Sequence, residues 1–524
     1  MDCISLADLS TEILLQICRH FCLHCQDEYS EAWDTRPLCY QRRREEQKRD
    51  AKSWYALNRH ALFSLSLASK RLRNIAQPIL YHEFVLGYDD SWRTDFYSWN
   101  GRLGSFMRSI TRNPDLASLV KVVHIHTLLL KSQTSEENRA VIQETASSLG
   151  IDLPSAWRQR VEKAPGVMKW GWPSAYQLFM LSKPDGKGDL DDKEQWGLAI
   201  EFHHGRQLGP SWMNGEMVAM LVAQLPNLDR LSLPGSFDCW PFQGFPDTAL
   251  SALNISTLGL KTLDLGVRAD ALIQVATGLE TLNLHQYEFW PDFPQMPNLK
   301  TIRITEGRFS VDHMKHILSA CTGGLRCFEY EAAVDRPSLP APHNHPFHLS
   351  DAILHLQMHK NTLQTVHLDV RRQKAPIRRI DRDIDFKSFT ALEHLFLGAR
   401  IICSRKFSPE PGDLPESHGL IRLIPSSIVS LSVTQTRNRN RLKSGLEGLA
   451  NWVNLHPGAF PRLKWVRCGG EATSVGSMFS VAGVDFGHKI CSLSSVKPYL
   501  NGEDRAPGYM QITGLDPYED EDEY

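Results

Sequence analysis

Several patterns that mark whole classes of protein are absent from this chain. Its apolar runs fall short of the roughly 20 residues that a helix needs to cross a bilayer, and the opening MDCIS lacks the basic start and apolar core of a signal peptide. The formal net charge at pH 7 is only -2, which provides no global attraction for nucleic acid or anionic lipid. We therefore predict a protein that binds neither nucleic acid nor membranes.

Motifs of catalysis are absent as well. The sequence has no glycine-rich phosphate loop, no nucleophile elbow and no paired metal motif. The histidines at 203–204 and 343–348 have no partnered carboxylate motif, and histidines in loops are usually solvated or serve as caps. The sequence thus predicts a non-catalytic protein without a cofactor.

The cysteine pattern does not indicate a disulfide framework. Eleven cysteines, an odd number, are spread over 524 residues, which favours reduced thiols in the cytosol or nucleus. Cys22, His24 and Cys25 are close in sequence and are zinc-ligand types. A zinc finger needs two spaced pairs, however, and we assign Cys18 and Cys22 to an apolar helix, so the sequence predicts no metal site.

A short phrase recurs along most of the chain: a leucine, two residues, an aliphatic residue, one residue and another aliphatic residue. The last two apolar positions point to one face of a strand, and the residue between them, usually polar, points to the other. Each phrase is therefore predicted to form one half-buried strand. The copies are Val120/Val123/Ile125, Leu228/Leu231/Leu233, Leu260/Leu263/Leu265, Leu279/Leu282/Leu284, Leu299/Ile302/Ile304, Leu325/Phe328/Tyr330, Leu363/Val366/Leu368, Leu392/Leu395/Leu397, Ile428/Leu431/Val433 and Leu463/Val466/Cys468.

Recurrence every 20 to 40 residues or so predicts a solenoid, because a single unit cannot bury its apolar face alone. Helix-compatible segments precede most phrases, such as MVAMLVAQL before Leu228 and LEGLANWVNL before Leu463. The predicted fold class is α/β, with parallel strands linked by helices over residues 91–490. Residues 131–210 fit the period badly and are predicted to hold an insertion. Residues 491–524 are predicted to be irregular and end in an acidic tail.

The first 90 residues are predicted to form a separate helical module. Residues 5–24 indicate a helix that is capped at Ser10 and has an unusually wide apolar surface. The stretch 26–53 has dense mixed charge and is predicted to be a loop or an exposed helix. Apolar residues at helical spacing return from Leu62 to Ile75, and Pro78 is expected to close or restart that helix.

Two phrases in this module resemble an F-box. They are Leu9-Ser10-Thr11-Glu12-Ile13, with Ser10 where the family usually has proline, and Leu65-Ser66-Leu67-Ala68-Ser69-Lys70-Arg71-Leu72. The repeats resemble leucine-rich repeats in the irregular form of fungal-type F-box proteins, without the asparagine ladder of regular repeats. The resemblance implies a helical module that docks on the Skp adaptor of an SCF-type ubiquitin ligase, and through it on cullin and RING subunits.

By this resemblance, eight apolar residues would make or support the contact with the adaptor. They are Leu6, Leu9, Ile13, Leu14, Ile17, Leu65, Leu67 and Leu80. The residues alone leave another interpretation open, since the terminal repeat of a solenoid needs a cap and a small helical module can serve as one.

The loops after the strands leave from one edge of a solenoid, and their composition changes from aromatic to basic along the chain. The candidate client-binding residues are Trp240, Phe242, Phe289, Trp290, Arg371, Arg372, Arg405, Arg437, Arg439 and Arg441. Such a rim suits a peptide with an apolar anchor and an acidic or phosphorylated segment. Alternatively, the aromatic residues hold their own loops in place and the arginines are solvated or paired.

These features together predict the substrate-recognition subunit of an SCF-type cullin-RING ubiquitin ligase. The repeat domain would hold a protein client, and the chain would contribute proximity rather than chemistry to ubiquitin transfer. The alternative function is a leucine-rich-repeat scaffold for protein interactions that never meets a ligase.

Overall fold

The structure of the chain is a computed structural model that contains a series of alternating helices and strands. The described residues are 6–26, 54–86, 101–125, 135–152, 155, 211–233, 250, 253–266, 269–285, 293–307, 309–332, 349–370, 386–398, 419–433, 439–468 and 473–487. Three predicted features therefore lie outside them, namely nearly all of the charged insert, most of the insertion at 131–210 and the C-terminal segment.

Fourteen α-helices lie in the described part of the chain. In order, α1 to α14 are Thr11–Arg19, Leu23–Gln26, Trp54–Ala68, Lys70–Leu80, Arg102–Arg112, Pro114–Leu119, Ser135–Ser148, Ser211–Ala223, Asp270–Val275, Val311–Ala320, Leu349–Leu356, Gly419–Leu423, Arg439–Leu455 and Thr473–Val481. The helices predicted before the strand phrases at Leu228, Leu279, Leu325, Leu363 and Leu463 are all confirmed. Among these described helices, none combines the length and the apolar character needed to span a membrane.

In the described residues, twelve strands form one sheet in which every pairing is parallel and the spatial order is the chain order. In order, β1 to β12 are Glu83–Leu86, Val122–Ile125, Arg230–Leu233, Thr262–Leu265, Thr281–His285, Thr301–Gly307, Cys327–Ala332, Thr365–Asp369, His394–Leu397, Ser430–Val433, Trp465–Cys468 and Asp485–Gly487. Each predicted phrase forms a strand, so the α/β class and the repeat-like parallel architecture are confirmed. The sheet also contains β1 and β12, two strands that the repeat phrase does not predict.

Backbone and side chains just before the strands tie successive units together. The amide of Asp229 donates to the carbonyl of Lys121 at 2.9 Å, and the amides of Lys261 and Glu280 continue the series, each at 2.8 Å. Charges alternate along this row, with Lys261 and Asp229 paired at 3.1 Å and Lys300 and Glu280 paired at 2.6 Å. Opposite charges on adjacent strands favour this register over a one-residue slip.

One continuous apolar core runs from Leu103 to Val484 along the side of the sheet that the helices cover. The two aliphatic positions of each phrase supply its rows, as Leu263, Leu282 and Ile302 show with no exposed surface. The expectation of half-buried strands holds for β9 to β11, where burial alternates along the strand. It is wrong for β3, β4, β5, β7 and β8, because polar side chains on the other face are buried as well.

The turn after α10 brings two backbones into close approach. A Cβ atom on Gly323 would lie 1.6 Å from the carbonyl oxygen of Pro297, a separation that no side chain can relieve. Gly323→Ala is therefore expected to lower the free energy of unfolding by about 3 kcal/mol or more. The matched control is Gly259→Ala, whose new methyl group meets nothing within 4 Å. Thermal unfolding of the full chain measures the difference, and equal midpoints for the two variants would contradict the turn geometry.

His359 is a buried side chain that bridges two repeat units. Its Nδ1 accepts a hydrogen bond from the amide of Leu325 at 3.5 Å, and its Nε2 lies 3.0 Å from the carbonyl of Leu318, to which it donates. Only the neutral ring can make both contacts, since a protonated Nδ1 could not accept. Burial accordingly lowers the pKa of His359 below its usual value.

This lowered pKa predicts loss of stability in acid. The unfolded chain takes up protons first, at a pKa of about 6.5, so stability is full above that pH and falls as the pH drops towards the folded pKa. We expect the thermal midpoint to fall between pH values of about 7.5 and 5.5, and to fall less steeply in His359→Gln. The exposed His60→Gln is the control and should keep the wild-type slope. An unchanged slope in His359→Gln would refute the assignment.

Candidate binding surfaces

A small helical unit, built from α1 to α4, precedes the sheet. Its apolar side chains form a core separate from the core of the sheet. The buried members of this second core are Leu14, Cys18, Cys22, Leu62, Leu72, Ile75, Ala76 and Ile79. The unit is joined to the sheet through a smaller contact, in which Leu23 packs with Val122 and Val85.

Serine side chains cap the N-termini of two helices in this unit, α1 and α4. The Ser10 hydroxyl accepts from the amide of Ile13 at 3.4 Å, as the predicted cap requires, and the Ser69 hydroxyl accepts from the amide of Leu72 at 3.2 Å. The prediction that Pro78 interrupts the helix is wrong. The interruption between α3 and α4 is at Ser69, and Pro78 lies inside α4. Ser69 has extended backbone and so separates α3 from α4, whereas Pro78 removes only one hydrogen bond near a helix end.

Five large apolar side chains on this unit are exposed. Their exposed fractions are 41% for Leu6, 45% for Ile13, 52% for Leu57, 50% for Phe63 and 61% for Leu67. Phe63 and Leu67 are four residues apart in α3 and so lie on one face of that helix. Phe63 and Leu67 thus share an exposed apolar face, which is a feature of docking sites.

The structure divides the predicted adaptor-binding residues into three groups. Leu6, Ile13 and Leu67 are exposed, while Leu14 is 1% exposed and belongs to the internal core of the unit. The remaining residues are half-buried, namely Leu9, Ile17, Leu65 and Leu80. Leu14 is therefore placed to support a contact and not to make it.

Sequence reasoning missed Leu57 and Phe63. The family phrase does not include either position, although the spacing of Phe63 and Leu67 in a helical segment is a signal that marks a shared face. Both residues enlarge the exposed apolar surface of α3.

Most of the predicted client-binding residues lie outside the described residues. These are Trp240, Phe242, Phe289, Trp290, Arg371, Arg372, Arg405 and Arg437. Arg439 and Arg441 both lie in the first turn of α13, so the prediction that they belong to a loop is wrong. The segment is rich in Arg, Leu and other residues that favour helix.

A row of polar side chains crosses the sheet on the face away from the apolar core. Arg230 donates to Asp264 Oδ2 from Nη2 at 2.6 Å and from Nε at 3.0 Å, and Asn283 donates to the other oxygen of Asp264. On the next two strands, Arg303 of β6 donates to Glu329 of β7. The register of the parallel strands places Asp264, Asn283, Arg303 and Glu329 side by side, so each shields its neighbour from water. Arg230 is opposite Thr262 and reaches Asp264 diagonally.

Two acceptors in this polar row are not saturated by the protein. Asn283 Oδ1 and Glu329 Oε1 are buried and have no hydrogen-bond partner within the structure as described. Asn283 is 3% exposed and Glu329 has no exposed surface. The buried charge of Glu329 is therefore compensated by its ion pair with Arg303, as Arg230 compensates that of Asp264.

No protein-family model matches this chain, and no curated protein matches it either. The class of protein is therefore inferred from its surfaces. These are the exposed apolar residues of the small helical unit and the long, parallel, repeat-like sheet.

Proposed function

We propose that the chain is the substrate-recognition subunit of an SCF-type cullin-RING ubiquitin ligase. In this proposal the helical unit is an F-box-like module that docks on a Skp-type adaptor, and the sheet is an irregular leucine-rich-repeat domain that holds a protein client. The observation that carries the proposal is the exposure of Leu6, Ile13, Phe63 and Leu67 on a unit that has its own core.

Energetics favour a partner for this surface. Burying an exposed leucine, isoleucine or phenylalanine contributes about 1.5–3 kcal/mol. A few such residues supply most of the affinity of a typical interface, where apolar anchors form the centre. The unit can present them without unfolding, because its internal core consists of other residues, such as Leu62, Leu72 and Ile79.

The alternative, in which the helical unit only caps the end of the repeats, explains fewer of its features than adaptor docking does. The cap function accounts for the contact of Leu23 with Val122 at the first strands. A cap, however, protects the end of a solenoid with a polar outer surface. Exposed apolar residues such as Ile13 and Leu67 would be a liability in that role, and they favour the receptor over the isolated scaffold.

The test of this proposal is assembly of a ligase from purified parts. The full chain is mixed with a Skp adaptor, a cullin and a RING subunit and passed over a size-exclusion column. The receptor predicts co-elution of all four proteins in equal amounts. Elution of the chain apart from the adaptor at micromolar concentration would leave the scaffold as the better function.

A second experiment identifies clients and tests whether the two parts of the chain bind different partners. Proximity labelling is run in cells with the full chain and with Ile13→Asp/Leu67→Asp. The receptor predicts that ligase subunits disappear from the labelled set of the variant, while clients held by the repeat domain remain. Loss of neither group would contradict the proposed division of labour.

A further inference from the structure

Four potential metal ligands converge where the helical unit meets the first strand. They are Cys22, His24, Cys25 and His82, and one ligand atom from each lies within 4.8 Å of all the others. The prediction that the chain has no metal site rests partly on the assignment of Cys22 to the apolar helix. That assignment is wrong, since α1 ends at Arg19.

The local fold explains how the two cysteines come together. Cys22 follows the turn after α1 and directly precedes α2, whose third residue is Cys25. The amide of Gln26 donates to the carbonyl of Cys22 at 3.2 Å, which closes this first helical turn. A spacing of three residues on one turn places both thiols on the same side.

His82 reaches the same point from the other end of the unit. It follows the turn after α4, where its amide donates to the carbonyl of Ile79 at 3.2 Å. Its own carbonyl accepts from the amides of Lys121 and Val122, at 2.7 and 3.1 Å. The backbone of His82 is thus fixed to β2, and its ring points at thiols some 60 residues earlier in the sequence.

The distances fit one tetrahedral ion. His82 Nδ1 lies 3.9 Å from the sulfur of Cys22 and 3.3 Å from that of Cys25, and His24 Nδ1 lies 4.0 Å from the sulfur of Cys25. In a zinc site with Zn–S near 2.3 Å and Zn–N near 2.0–2.1 Å, sulfur and nitrogen ligands lie about 3.6 Å apart.

A carboxylate organises the surroundings. Glu83 Oε2 accepts from the amide of His24 at 3.2 Å and lies 3.8 Å from the Cys22 sulfur, and Glu83 Oε1 accepts from Arg59 at 3.3 Å. Glu83 is 1% exposed, so this buried acid positions the start of α2 while Arg59 compensates its charge. In metal sites, hydrogen bonds from residues that do not bind the metal orient the residues that do.

We propose that these four side chains bind a structural zinc ion that fastens the helical unit to the first strand of the sheet. Two thiolates neutralise the charge of the ion, and two neutral imidazoles complete the tetrahedron. All four positions are filled by the protein, which is the arrangement of a structural and not a catalytic site.

Metal content is the primary test. The full chain is produced without a polyhistidine tag in zinc-supplemented medium, desalted under reducing conditions and analysed by mass spectrometry for metals. We expect close to one equivalent of zinc, and less than about 0.1 equivalent in Cys22→Ser/Cys25→Ser. The matched control is Cys18→Ser/Cys321→Ser, which changes two buried thiols outside the cluster and should retain the metal.

Cobalt substitution keeps the test decisive if the cysteine variant fails to fold. The wild-type chain is stripped with a chelator and titrated with Co²⁺, and we expect thiolate-to-cobalt absorption with the intense visible bands of tetrahedral coordination. His82→Asn should weaken these bands, because one ligand is lost. The proposal is overturned by a wild-type chain that holds no zinc and gives no tetrahedral cobalt spectrum. Full zinc content in a folded Cys22→Ser/Cys25→Ser variant, or a Cys22–Cys25 disulfide in the reduced preparation, would equally overturn it.

Discussion

Ile13→Asp/Leu67→Asp is expected to abolish binding of the Skp adaptor by the full chain. Ile13 is 45% exposed and Leu67 is 61% exposed, so neither substitution removes much of the internal core. In a complex, however, each new carboxylate would be buried against an apolar partner without compensation. Two residues at the centre of an interface contribute roughly 2 kcal/mol each, or about 4 kcal/mol together, which predicts a loss of affinity of roughly 700-fold.

The repeat domain offers a matched control for this variant. Leu455 is 74% exposed at the end of α13, and Val481 is 81% exposed at the end of α14. Leu455→Asp/Val481→Asp makes the same chemical change far along the chain and should leave adaptor affinity unchanged. Calorimetric titration of purified adaptor measures both variants. Equal affinities, or equal losses, would show that the exposed face of the helical unit is not the docking surface.

Arg303→Met is expected to be the most destabilising change on the polar face of the sheet. Arg303 pairs with Glu329, which has no exposed surface and whose second oxygen has no partner in the described structure. Removing the arginine leaves a buried carboxylate without its counter-charge, which costs about 3–5 kcal/mol in folding stability. Arg303→Met/Glu329→Leu removes both charges and should recover most of that loss.

An exposed pair in neighbouring strands provides the comparison. Lys300 and Glu280 lie 2.6 Å apart with 47% and 42% of their side-chain surfaces exposed, so Lys300→Met should cost less than about 1 kcal/mol. The four chains are compared by urea unfolding. If Arg303→Met and Lys300→Met shift the midpoint equally, the buried pair does not carry the stability that its environment implies.

The repeat architecture could be predicted from sequence because its signal is local. In each phrase, such as Leu279/Leu282/Leu284, the spacing alone fixes which side chains share a strand face. Every predicted phrase became a strand, and the five predicted helices formed before them. The first strand was not predicted, because Glu83–Leu86 lacks the leading leucine of the phrase and lies in the segment assigned to the helical module.

Features that depend on distant contacts could not be predicted in this way. The pairing of Arg303 with Glu329 depends on register between strands, and single polar positions in each phrase give no hint of it. The approach of His82 to Cys22 joins residues 60 apart, which no ligand spacing in the sequence could reveal. Pro78 misled because a proline near the end of a helix is tolerated, whereas the serine cap at position 69 carried the true boundary.

Hydrogen–deuterium exchange tests the central proposal most directly, because it reports where the adaptor binds. Deuterium uptake of the full chain is measured alone and with a saturating amount of purified Skp adaptor. Docking on the exposed apolar face predicts slower exchange in α1 and α3, with the strands from β3 to β11 unchanged. Uptake that stays the same in α1 and α3, or slows only in the repeat domain, would contradict the assignment of the helical unit as the ligase-docking module.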